Sequence, residues 1–241
     1  MNKLHIKLRS IGRRLHLQKL YYRIFPNGQY EEKFHEAILD ALRVGDVVWD
    51  VGANDGFYAR IFGEKTGAAG RVFAFEPTPE SHTKLTSQTE SYPWVQNELM
   101  ALGDFDGTSA LVVTESHRRN HLQQISVETT GGNGVPVKSV PVKVSRGDSY
   151  WTTSGITPDL IKIDVEGFEE EVLAGMNGLL AAQDLRAVFV EVHFRVLEER
   201  GRADAPIRIE KLLRSKGLHP KWVDESHIAA TRIGAKVSSL R

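Results

Sequence analysis

The sequence predicts an α/β fold: a mostly parallel, doubly wound sheet with helices on both faces. Three observations carry this. From residue 45 onward, apolar runs of strand length alternate with helical segments, the pattern of parallel strands joined by crossovers. The first run ends in a glycine-bearing turn and the second in Glu76-Pro77, which suits strand ends that face a ligand crevice. A chain of 241 residues fills one such domain and is short for two.

The elements follow in order. Residues 1 to about 25 read as a basic helix, with Leu4, Leu8, Ile11, Leu15 and Leu20 on one stripe and Pro26-Asn27-Gly28 ending it. A second helix is expected over 31–42, stopped by Gly45. Residues 1–44 are therefore read as an N-terminal helical extension and 45–241 as the main domain. Strands are expected at 47–51, 71–75, 95–100, 160–164 and 187–193. Helices should start near Phe57, Pro79 and Gly167, and another should run from Ala205 to Lys216. Thr78-Pro79 is a start signal, a cap followed by proline at the first helical position. Residues 108–146 depart from the alternation, with β-rich runs at 109–113 and 135–144 around a polar stretch, 114–134. They read as an insertion or lid, made mobile by Gly131-Gly132-Asn133-Gly134. Residues 221–233 read as two short strands joined through Asp224-Glu225-Ser226, a terminal hairpin.

Composition narrows the function. Formal net charge is zero, so no global field favours nucleic acid. The local field is less even, because Lys3, Lys7, Arg9, Arg13, Arg14, Lys19 and Arg23 all precede the first acidic residue, Glu31. That basic helix can pack on the domain, bind a partner or lie on an anionic membrane. The chain has no cysteine, which excludes disulfides, thiolate metal sites and cysteine nucleophiles. Without an apolar run of membrane-span length or a signal-peptide core, the expected location is cytoplasmic.

The chemistry sits at strand ends. Asp50, Gly52, Asn54 and Gly56 form a strand–turn–helix junction whose backbone amides can approach a ligand, and Glu76 closes the next strand where ribose hydroxyls would lie. The turn spacing is Gly-x-x-x-Gly rather than that of a pyrophosphate cradle, and Asp50 would repel a diphosphate. Both suit the methionine part of S-adenosylmethionine. Tyr58 either closes over that part or packs in the core. Gly103-Asp104 reads as a turn pair at the end of a strand. Asp164 and Glu166 share one side of their strand by alternation, as do Glu191 and His193 on the next. Four polar groups there are costly as core filling and suit a catalytic edge. His193 has the most useful ordinary pKa for a general base, with Asp164 second. Asp164, Glu191 and His193 could alternatively hold magnesium or manganese. Glu169, Glu170 and Glu171 read as helix-start charges. His117 to His121, and Trp222, Asp224, His227 and Arg232, stay open between acceptor contacts and solvated or structural positions.

Several of these stretches carry a resemblance. Asp50-Val51-Gly52-Ala53-Asn54-Asp55-Gly56-Phe57-Tyr58, Phe75-Glu76-Pro77, Ala101-Leu102-Gly103-Asp104, Lys162-Ile163-Asp164-Val165-Glu166-Gly167-Phe168-Glu169, Leu173-Ala174-Gly175 and Val190-Glu191-Val192-His193 occur in that order. Over about residues 45–195 the chain resembles the FkbM family of S-adenosylmethionine-dependent methyltransferases. The resemblance implies a Rossmann-like class I methyltransferase fold, with a mostly parallel seven-stranded sheet and an antiparallel terminal strand. It places Asp104 against adenine, where an acid can accept from the exocyclic amine, and it implies O-methylation, often of sugars or natural products, so the expected partner is a small-molecule or glycan acceptor. Two other readings stay open: a nicotinamide-dependent oxidoreductase on a similar sheet, and a cofactor-binding scaffold without catalysis.

Overall fold

The structure, a computed structural model, describes residues 32–113, 121–123 and 138–232. The basic helix expected at the N-terminus and most of the 114–134 stretch lie outside the described residues. Helix α1 (Glu32–Ala41) leads into strand β1 (Val47–Val51), helix α2 (Phe57–Thr66), strand β2 (Arg71–Phe75), helix α3 (Pro79–Thr89) and strand β3 (Val95–Glu98). The chain then leaves that sheet for β4 (Ala101–Gly103), β5 (Gly107–Val113), β6 (His121–Gln123) and β7 (Lys138–Arg146). It returns through α4 (Gly147–Ser154), β8 (Leu160–Ile163), α5 (Glu169–Ala174), a 3₁₀ turn (Leu179–Ala181) and β9 (Ala187–Glu191). Helices α6 (Phe194–Glu199) and α7 (Ala205–Ser215) precede β10 (His219–Trp222) and β11 (His227–Thr231).

The main sheet has seven strands in the order β10-β11-β9-β8-β1-β2-β3. All its pairings are parallel except those of β11, which lies antiparallel between β9 and β10. The direction of winding reverses between β1 and β8, so their carboxyl ends open the crevice where such sheets bind ligands. Strand alternation divides the core. Trp49, Val51, Phe73, Phe75, Ile161, Ile163, Val188 and Val190 face α5 and α7, while Val48, Val72, Leu160 and Phe189 face α1 and α2. Helix α1 buries Phe34, Ala37, Ile38 and Ala41 on that second face. It is part of the core of the domain.

Three differences from the sequence reading have physical causes. The strand expected over 95–100 stops at Glu98, because Met100 turns back to donate to the Glu98 carbonyl at 2.9 Å. Residues Ala101–Gly103 then form a strand of a second sheet, ordered β4-β7-β5-β6. Helix α4 was not expected, since Gly-Asp-Ser-Tyr-Trp-Thr-Thr-Ser is poor in helix formers. Tertiary contacts hold it: Tyr150 packs edge-on against Trp49 and Phe75, and both Asp148 oxygens accept from Gly178 and Leu179 at the 3₁₀ turn. The Thr78 hydroxyl does not cap α3 but donates to Glu76 at 2.5 Å.

Candidate active site

The crevice is built by close backbone approach. Gly52 follows β1 at φ +81°, and a Cβ there would lie 1.8 Å from the Asp164 carbonyl oxygen. Only glycine lets the ends of β1 and β8 meet this way. Gly52 and Ala53 both donate to the Phe75 carbonyl at 3.0 Å, which ties the turn to β2. Asn54, at φ +49°, then points its N–H at Glu76 Oε2, 3.0 Å away. Gly56 caps α2 at φ +96°, and a Cβ on it would press on Leu85 of α3.

The cavity at this crevice has distinct walls. Gly52, Asn54, Glu76, Thr78 and Ser81 form one, Ala101, Leu102 and Leu111 a second, and Asp164, Val165, Glu166 and Phe168 a third. Glu76 is nearly buried; its Oε1 accepts from the Thr78 N–H and hydroxyl, and its Oε2 from Asn54. Burial pushes its carboxyl up against the pull of those donors. A carboxylate has about four acceptor positions, so Glu76 keeps one, on Oε2, for a ribose hydroxyl. The apolar wall opposite suits a flat base. These residues fit S-adenosylmethionine.

The third wall leads into a dense charged cluster. Glu166 sits at φ +52°, a left-handed conformation that costs a non-glycine residue about 1–3 kcal/mol. Its Oε2 lies 3.4 Å from His193 Nε2, and the same nitrogen stands 3.7 Å from both Asp164 Oδ1 and Glu191 Oε1. His193 Nδ1 meets Glu169 Oε1 at 2.7 Å. Burial alone would lower this imidazole, yet Glu169, Asp164 and Glu166 outweigh it and hold the ring up at about 10. Burial raises Glu166 to about 7, with His193 opposing and Asp164 and Glu191 adding to the rise. His227 extends the cluster, with Nδ1 2.8 Å from Asp224, Nε2 3.4 Å from Glu191 Oε2, and its ring stacked on Phe34. Asp224 and Glu191 more than offset its burial and raise it to about 9.

The structure brings Gly52, Asn54, Glu76, Asp164 and Glu166 to one cavity, with Glu191 and His193 directly behind its acidic wall. It corrects other expectations. Asp50 does not reach the cavity, because alternation turns it toward α2, where it is fully buried beside Lys162 at 3.4 Å. Tyr58 covers that pair, its ring centre 4.9 Å from Lys162 Nζ. Asp104 lines a separate space beyond Phe168, with Arg200 and Arg202. Gly56 shapes helix packing rather than the cavity wall. Glu169, Asp164 and Glu166 favour the charged imidazole, which opposes a general-base role for His193. Glu169 is no mere helix-start charge, since it orients His193 and accepts from Gly167 N at 2.8 Å. Glu170 and Glu171 instead pair with Arg200, Arg202 and Arg208. In the terminal hairpin, His227 and Asp224 join the cluster. Trp222 bonds Glu210, and Arg232 is spent on the carbonyls of Leu180, Ala182, Leu185 and Lys216. The sequence reading also missed Lys162. Its signal was visible: one lysine in an otherwise apolar strand, in register with Asp50 on β1.

A seven-stranded sheet with this order and this crevice is the class I fold of S-adenosylmethionine-dependent methyltransferases. A solved protein of Clostridium thermocellum, described as a candidate rRNA methylase, shares the fold with a TM-score of 0.51 at 11% identity, over 83% of this chain and 93% of that one. The model of the methyltransferase FkbM domain matches residues 50–219, and the chain belongs to that family. The hexuronic acid methyltransferase AglP of Haloferax volcanii is 31% identical over 170 residues. That match covers 68% of this chain and 62% of AglP, less than two thirds of the relative's length. Family membership removes the ground for the nicotinamide alternative.

Proposed function

We propose that this chain methylates a hydroxyl group on a sugar, glycan or glycosylated metabolite. The observation that carries this is the acidic wall of Asp164 and Glu166, which ends the cavity beside the Gly52 turn. A hydroxyl acceptor must lose a proton as its new bond forms, and a wall of carboxylates at the reacting end is suited to take it. S-adenosylmethionine supplies the electrophilic methyl on a sulfonium. Glu76 holds the ribose, the Gly52–Asn54 turn orients the amino-acid end, and Glu166, which lines the cavity, accepts the acceptor's proton. Orientation of this kind is worth on the order of 7–11 kcal/mol, so most of the work is positioning. The name of AglP supports a carbohydrate acceptor, whose hydroxyls can donate to the carboxylates that line the site. The sequence left open a magnesium or manganese ion on Asp164, Glu191 and His193 as the alternative to a general base.

The test is a calorimetric titration with S-adenosylhomocysteine, followed by a screen of free and glycan-linked uronic acids and neutral hexoses with labelled donor. Micromolar binding and label transfer to an acceptor oxygen are expected. Binding without transfer to any acceptor would leave the scaffold reading in place.

A further inference from the structure

Resting on the methyltransferase reading above, we infer that Asp164, Glu191 and His193 form a site for one divalent cation of the magnesium or manganese class. One ligand atom from each residue lies within 4.8 Å of the other two. His193 Nε2 stands 3.7 Å from Asp164 Oδ1 and 3.7 Å from Glu191 Oε1, too far for hydrogen bonds. Two donors on one ion at about 2.1 Å can stand up to about 4.2 Å apart, so the gap between these atoms is close to the size of an ion.

The opposite atom of each side chain is already engaged. Asp164 Oδ2 is 3.2 Å from Lys162 Nζ, Glu191 Oε2 is 3.4 Å from His227 Nε2, and His193 Nδ1 is 2.7 Å from Glu169 Oε1. Three forward atoms are thus left near one another, with Glu166 Oε2 a fourth, 3.4 Å from His193 Nε2. Partners behind the ligands are what fix the orientation and tautomer of metal-binding groups.

Glu169 adds a separate observation. It is fully buried, and its Oε2 has no hydrogen-bond partner. A core histidine is satisfied by a carbonyl at far lower desolvation cost. Burying a carboxylate behind Nδ1 is instead the carboxylate–imidazole pairing found behind bound metals. Two carboxylates and one imidazole, in a chain without cysteine, favour a hard ion. A dication takes the place of the Nε2 proton and serves the same carboxylates with one more unit of charge. Because Asp164 also lines the cavity, an ion held by it would stand at the cavity's acidic wall, with positions left for an acceptor. A sugar can fill them with the hydroxyl to be methylated and a neighbouring oxygen, and the ion then lowers the pKa of that hydroxyl.

The experiment uses the full chain without cofactor and Mn2+ as probe. Calorimetry should show one Mn2+ per chain, and pulsed electron paramagnetic resonance of the wild type should show coupling to one imidazole nitrogen. Glu191→Gln should weaken Mn2+ at least tenfold while S-adenosylhomocysteine binding and Tm stay near wild type, and Asp164→Asn should weaken Mn2+ by at least as much. Wild-type protein that binds S-adenosylhomocysteine but takes up no Mn2+ at millimolar concentration, or binds it with no nitrogen coupling, overturns the site and leaves the methyltransferase reading standing. Loss of S-adenosylhomocysteine binding with Mn2+ binding intact would do the reverse. The spectrum needs no variant, so a misfolded variant does not blur the result.

Discussion

Glu76 works through a single carboxylate that is both part of the fold and open to the ligand. Its oxygens anchor Asn54 and Thr78, and its remaining acceptor capacity faces the cavity. Glu76→Gln should weaken S-adenosylhomocysteine by roughly 10- to 100-fold, the range for a hydrogen bond to a charged group. A calorimetric titration checks this. The pH dependence carries a definite sign. Because burial raises this carboxyl, the charged form that accepts from a ribose is lost on acidification at a higher pH than an ordinary glutamate, near about 4.3. Cofactor affinity should therefore fall as pH drops from 7 toward 4.5, while Glu76→Gln stays flat. The stability linkage runs the other way: the folded state holds this proton more tightly than the unfolded state, so acidification relieves the group's destabilisation. Gly52 offers an independent test at the same scale. In Gly52→Ala the new Cβ collides with the Asp164 carbonyl at a positive φ, so the ends of β1 and β8 must part. A loss of at least about 2 kcal/mol in denaturant unfolding is expected, together with loss of cofactor binding.

At the scale of the element, β1 and β8 are joined by charge as well as by their ladder. Lys162 lies between Asp50 and Asp164, and it and Asp50 are almost wholly shielded from water. Burial raises Asp50 and only Lys162 opposes it strongly, whereas Lys162 and His193 together overcome burial and lower Asp164. Lys162→Met leaves Asp50 buried without its cation and should cost about 3–5 kcal/mol in chemical denaturation. Adding Asp50→Leu should recover a large part, because an apolar pair can replace a buried ion pair. If the double variant is no more stable than the single one, Asp50 has a role beyond pairing with Lys162. This pair also shows the reach of sequence reading. Asp50 stood out as acidic beside a glycine turn, but the residue it serves could be found only from register, which pairs it with Lys162 across the sheet. Elements with strong local patterns were legible: β1, β2, α2 and α3 begin where apolar period, glycine and proline place them. Helix α4 was not, because its Ser-, Thr- and aromatic-rich sequence is helical only through contacts made by Tyr150 and Asp148.

The whole molecule places its chemistry where two layers of long-range packing meet, and this was the hardest part to read from sequence. The crevice between β1 and β8 follows from the order of strands, which the motifs at Asp50, Glu76 and Asp164 mark locally. The cluster behind it depends on β11 entering beside β9, which sets His227 against Glu191. It depends also on α1, whose Phe34 stacks on the His227 ring at 4.0 Å between centroids. The sequence reading drew a boundary at residue 44 and grouped α1 with an extension, since amphipathicity alone does not say what a helix packs on. Its buried face covers Val48, Val72, Phe189 and Ala229, strands from both sides of the switch point. Burying Phe34 and Ile38 contributes about 1.5–3 kcal/mol each before the alanines are counted. Against a typical total of about 5–15 kcal/mol, that is a large share. A truncation beginning at residue 45 should therefore lower Tm sharply or prevent folding, whereas one beginning at residue 32, which keeps α1, should retain Tm and S-adenosylhomocysteine binding. Thermal unfolding of the two truncations alongside the full chain decides the matter. Equal loss in both would mean that the segment before α1 carries the stability instead.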